Sequence, residues 1–160
     1  MKRLSILVLM AILMLSGCGF LSSEIQESVL FYYQRTEYQL GTSDGAIAAE
    51  ERDGTGHITD LNYLVRLYLT GPLSEELISP FPADVQLDSV RSFQNKVAIS
   101  LTGSPEEMPD VRKNLACACL ALTCLDITGT ETVTIYWGEE TITMDRSSLT
   151  LSDESAPIPE

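Results

Sequence analysis

Histidine and tryptophan occur once each in the 160 residues, as His57 and Trp137, and 10 Lys plus Arg face 23 Asp plus Glu. Each shortage excludes something. One histidine in the loop-like Asp53-Gly54-Thr55-Gly56-His57, with no Gly-x-Ser-x-Gly elbow anywhere, leaves a serine hydrolase without its parts. His57 therefore reads as an exposed or capping residue. A net charge of −13 repels phosphate backbones and anionic headgroups, so nucleic acid is not an expected partner. Calcium-loop spacing, a phosphate-binding glycine loop and basic-aromatic interleaving are all missing. So is a membrane span, because the longest apolar run, Leu4 to Leu15, has 12 residues where roughly 20 are needed.

That short run has a context. Lys2 and Arg3 precede it, Ser5 is its only polar residue, and Leu15-Ser16-Gly17-Cys18 closes it. A basic start, an apolar stretch and small residues before a cysteine are the marks of a processed export signal. The last four residues resemble a bacterial lipobox. The resemblance implies that Cys18 receives a diacylglycerol on its sulfur and becomes the first residue after cleavage; its two acyl chains, such as palmitate, anchor stably where one chain is marginal. Residues 1–17 are then a signal peptide, 18–27 a tether, 28–150 a domain and 151–160 an acidic, proline-rich tail too polar to fold alone. The 143 residues left after cleavage are the size of one domain with a single core. Loss of Lys2 and Arg3 takes the charge to −15.

With Cys18 assigned to lipid, Cys117, Cys119 and Cys124 remain, an odd number that rules out a fully paired framework within one chain. On a helix Cys117 and Cys124 share a face two turns apart, about 10 Å and too far for a disulfide, while Cys119 points elsewhere. Their ligand directions diverge and no histidine is near, so neither a metal site nor any cofactor is expected. They read as small buried apolar residues and poor nucleophiles. Four adjacent acidic pairs, Glu50-Glu51, Glu75-Glu76, Glu106-Glu107 and Glu139-Glu140, could serve glycoside hydrolysis only if two carboxylates faced one cleft. Neighbours beside turns and helix starts point apart, and solvated surface is the expected reading. No catalytic residue is assigned.

Residues 29–33, Val-Leu-Phe-Tyr-Tyr, favour a strand and 41–45 a turn; 46–52 fit either a short strand or a turn of helix. Residues 60–70 read as a helix capped by Thr59 or Asp60, with Leu61, Leu64, Val65 and Tyr68 as the buried stripe and Gly71-Pro72 as the stop. Leu73 to Pro82 reads as an irregular link. Residues 85–101 read as a hairpin turning at Gln94-Asn95, with a bulge between Leu87 and Val90. Ser104-Pro105-Glu106-Glu107 spells a capping box, but Pro109 means that either a lone turn precedes the helix or the helix begins at Pro109. Val111 to Leu125 is polar at first, then apolar on nearly every side, and reads as a central helix covered all round. Strands follow at 132–137 and 141–144. The order predicts an α+β fold: one small domain with two helices on one face of a mixed sheet that contains a hairpin.

Three runs, Leu67-Tyr68-Leu69-Thr70-Gly71-Pro72, Leu77-Ile78-Ser79-Pro80-Phe81-Pro82 and Val85-Gln86-Leu87-Asp88-Ser89-Val90, resemble the GerMN domain of sporulation and germination proteins. Asn95 to Leu101 fits that family's second hairpin strand, and Leu115 to Leu125 with Val133 to Trp137 fits its closing helix and strand. Together they cover roughly residues 28–145. Two departures are the cysteines at alanine-like helix positions and Asn95 where the family has glycine. The resemblance implies a domain like the ring-building modules of secretion assemblies, with no reaction assigned to it, and an assembly role outside the cytoplasm during spore formation or germination. The function expected is thus a non-enzymatic lipoprotein of the cell envelope, held on the outer face of the membrane at Cys18 and docking on envelope proteins, with self-association left open. The alternative is a wall-binding module or wall-active hydrolase using surface carboxylates and exposed Tyr32, Tyr33 and Trp137.

Overall fold

The computed structural model describes residues 27–37 and 45–149. The lipobox, tether and tail, and the predicted turn up to Asp44, lie outside them.

Strand β1, Ser28–Arg35, alternates as a half-buried strand should, burying Val29, Phe31 and Tyr33 on one face. It pairs antiparallel with β2, Ile47–Asp53, in the register Phe31 to Glu50. The segment that composition left between strand and helix is thus a strand, because pairing with β1 outweighs the helix preference of its alanines and glutamates. Helix α1, Leu61–Leu69, starts where the Asp60 side chain accepts the Tyr63 N–H and buries Leu64, Val65 and Tyr68. It ends at Gly71, whose φ of +92° is a backbone state glycine adopts without steric cost. The link that follows is less irregular than predicted: Leu77–Ile78 forms a two-residue strand, β3, on the far end of β1.

Strands β4, Leu87–Phe93, and β5, Lys96–Leu101, form the expected hairpin, with the register shift between Leu87 and Ser89. The positive φ falls on Gln94 (+52°) and not on Asn95. Helix α2, Asp110–Thr128, begins just after Pro109, which is its N-cap. A separate turn precedes it, closed by Met108 N–H on Pro105 O at 2.9 Å; Ser104 Oγ accepts only from Glu106 N–H, because Pro109 interrupts the ladder that a longer helix would need. After Gly129, left-handed at φ 67°, β6 (Thr132–Trp137) runs parallel to β5, and β7 (Glu140–Asp145) returns antiparallel.

The α+β class holds, with two helices and a mixed, hairpin-containing sheet of order β4-β5-β6-β7; the early strands form a further sheet of their own, β2-β1-β3. β3 covers only the last residues of β1, so the rest of that strand edge faces α2, and Tyr32 N–H donates to Thr123 Oγ1 at 2.9 Å. A backbone donor that a third strand would have used is satisfied by a helix side chain. Helix α2 packs on β1, β6 and β7, and Ala116, Cys117, Cys119, Leu120, Ala121 and Cys124 are fully buried. It joins the two sheets, which is why its apolar residues go most of the way round. An aromatic chain makes the second join: Tyr33 stacks on Tyr68 at 4.8 Å, Tyr68 meets Phe81 edge-on, and Phe81 meets Trp137 at 5.2 Å.

Candidate functional site

Cys18, the one residue to which sequence assigns a modification, lies outside the described residues. The other singled-out residues can be placed. His57 sits in the loop before α1, exposed, its ring stacked on Tyr63 at 3.9 Å. Its backbone closes two turns, its N–H donating to Gly54 O and its carbonyl oxygen accepting from Asp60 N–H. Among the described residues no hydrogen bond ties its ring to a carboxylate or a nucleophile.

Cys117, Cys119 and Cys124 are free and fully buried. Burial pushes each thiol up to about 12, which leaves no thiolate at neutral pH. The reading of small apolar residues holds, with one addition. Burial, and to a lesser degree these three thiols, push up the hydroxyl of buried Tyr68, which has no hydrogen-bond partner among the described residues. Among those residues no group of three or more His, Cys, Asp or Glu is arranged to hold a metal ion, and no helix is long and apolar enough to cross a membrane.

The acidic pairs divide as neighbours on opposite sides of a chain should. Glu51 is exposed, but Glu50 is not solvated surface. Its carboxylate accepts the N–H groups of Leu73 (2.9 Å) and Ser74 (2.8 Å) and pairs with Arg52 at 2.9 Å, both side chains being about one-tenth exposed. Arg52 also donates to Gly71 O and lies over the Phe31 ring. The clamp fastens the turn after α1 onto β2. Burial works against the Glu50 charge, but the bonds from Ser74, Arg52 and Leu73 outweigh it and hold the carboxyl below its ordinary range. Glu140 is likewise engaged, by Lys113 of α2, which also meets Asp110. Glu75, Glu76, Glu106, Glu107 and Glu139 are exposed as expected. Of the aromatics considered for wall binding, Tyr33 and Trp137 are completely buried, and Tyr32 is half-buried with its hydroxyl pushed up by burial and by nearby Asp126.

Among the described residues, hollows open on the surface at two places of note. One, of about 260 Å³, runs beside the end of α1 and is lined by Arg66, Leu69, Val85 and Leu87. The other, of about 480 Å³, lies at the start of β1 between Leu30, Ile58 and Ile127, with the carboxylates of Glu51 and Asp126 on its walls. Sequence reasoning missed the Glu50 clamp and the second hollow. The residues that make each are far apart in the chain, and only the packing of strands, loops and helix brings them together.

No family model and no curated protein matches the chain. Among solved structures, a crystal structure at 2.5 Å of a candidate lipoprotein from Clostridium perfringens is similar, at 16% identity and a TM-score of 0.46, over 76% of this chain and 88% of that one. A likeness of this degree decides neither fold nor function.

Proposed function

We propose that the chain is a lipoprotein of the bacterial envelope, anchored on the outer face of the membrane through diacylglyceryl-Cys18, whose domain is a non-enzymatic docking module akin to GerMN domains. The observation that carries this reading is the sequence of basic Lys2-Arg3, the 12-residue apolar run and Leu15-Ser16-Gly17-Cys18. The order of helix, Ser-Pro link, hairpin, small-residue helix and strand supports the GerMN likeness, and with it a place in spore formation or germination. A docking role in place of catalysis is supported by where the chemistry-bearing residues lie: the thiols are buried and protonated, and Glu50 and Glu140 are tied to cations. The wall-hydrolase alternative loses Tyr33 and Trp137 to the core.

The test is metabolic labelling with an alkyne palmitate, combined with photo-crosslinking of the full chain in sporulating cells. The expected outcome is a labelled, membrane-bound protein that crosslinks to other envelope proteins, with label and membrane retention both lost in Cys18→Ser. A soluble, unlabelled protein sinks the anchor, and crosslinks confined to the wall polymer sink the docking role.

A further inference from the structure

The hollow at the start of β1 has a floor of exposed apolar side chains, Leu30 (38% exposed) and Ile58 (37%), with Ile127 beside them. Its walls carry Glu51 and Asp126, and among the described residues neither has a cationic partner. Such a hollow suits an apolar group flanked by positive charge. The chain itself carries one.

At the turn of the β4–β5 hairpin Phe93 is 73% exposed. Arg91, two residues earlier, is on the same face of β4, and Lys96 is the cross-strand partner of Phe93 on that face. Neither cation has a carboxylate partner among the described residues. In a chain of net charge −13, this corner is a place where a second copy is attracted instead of repelled.

Knob and hollow lie at one end of the molecule. Asn95 O accepts Glu131 N–H, Glu131 O accepts Arg146 N–H, and Arg146 Nη2 donates to Leu125 O next to Asp126. Two features on one end cannot fill each other within a chain whose hairpin is held in place by these bonds. They can do so reciprocally across a two-fold axis, where each contact occurs twice.

We infer that the protein forms a two-fold dimer in which Phe93 of each copy enters the Leu30–Ile58–Ile127 hollow of the other, with Arg91 and Lys96 against Glu51 and Asp126. The pairing rests on these surfaces alone and stands or falls separately from the lipid anchor and from any envelope partner.

The test mixes two differently tagged full-length variants in detergent, Phe93→Cys and Ile58→Cys, under mild oxidation, and identifies the disulfide by mass spectrometry. The control replaces Ile58→Cys with Val111→Cys, more accessible at 79% exposure against 37% but about 22 Å along α2 from Asp126. The native Cys117, Cys119 and Cys124 are buried and do not compete. A yield at least tenfold above the control is expected. It should fall to control level when Lys96→Glu and Arg91→Glu are added to the Phe93→Cys chain, and return when Glu51→Lys and Asp126→Lys are added to the Ile58→Cys chain. Equal yields with both partners, or a yield unmoved by the charge reversals, would overturn the inference. A wild-type chain that remains monomeric by light scattering at about 100 µM would do the same.

Discussion

At Glu50 one carboxylate accepts the backbone N–H groups of Leu73 and Ser74 and pairs with the Arg52 guanidinium. Leaving such donors unpaired costs more than a surface ion pair ever contributes. Glu50→Ala is expected to lower unfolding stability by about 2 kcal/mol in urea titrations, while Glu51→Ala, its exposed neighbour, leaves the midpoint unchanged. The pH dependence follows from the lowered carboxyl. Its stabilisation is present above the ordinary value near 4.5 and is lost as pH falls through the lower folded value. Glu50→Gln should therefore flatten the acid limb of the stability curve. The thiols act at the other extreme. Held neutral up to about 12 when folded but ionising near 9 when unfolded, they favour the folded state below pH 9, and that contribution is lost as pH rises toward 12. Iodoacetamide at pH 8 should leave Cys117, Cys119 and Cys124 unmodified in the native protein and label all of them in urea. Labelling of the native protein would show that α2 is not packed as described.

Among the elements, those set by local rules were legible and those set by partners were not. Helix α1 followed from Asp60, the 3.6-residue stripe and Gly71-Pro72, each of which acts within a few residues. The hairpin and its bulge followed from period-two alternation and the break at Leu87. β2 was ambiguous because Ala48-Ala49-Glu50 has no strand preference of its own; β1 imposes it. β3 was missed because two residues, Leu77 and Ile78, leave no periodic trace. The division into two sheets is not visible in the sequence, because α2, covered all round only over residues 115–125, bridges two sheets where its apolar surface alone fits one. At the hairpin turn asparagine was expected to carry the positive φ, and Gln94 carries it instead. A longer side chain in that region is strained by about 1 kcal/mol. Gln94→Gly should thus raise the thermal midpoint slightly, by up to about 1 kcal/mol in stability, whereas Asn95→Gly should lower it or leave it unchanged. An equal gain at both positions would contradict the turn geometry.

At the scale of the whole molecule, a core shared between two small sheets and one central helix leaves little of the interior free for chemistry. Tyr33, Tyr68, Phe81 and Trp137 tie the sheets together, so Trp137→Ala is expected to cost about 3–5 kcal/mol and to unfold both sheets in one transition by near-ultraviolet dichroism. Among the described residues, the surface features open to function include the hollows beside α1 and at the start of β1 and the cationic aromatic corner. Of the candidate sites, only the proposed lipobox offers itself to sequence reading, because its four residues are contiguous in the chain. The hollow between Leu30, Ile58 and Ile127 exists only once β1, the His57 loop and the end of α2 have met. The proposed anchor rests on the chemistry of Cys18, and mass spectrometry of the amino-terminal peptide of the membrane-extracted protein reads that chemistry directly. The expected peptide begins at Cys18 and carries a diacylglyceryl thioether. A peptide that retains residues 1–17, or an unmodified Cys18 thiol, would contradict it.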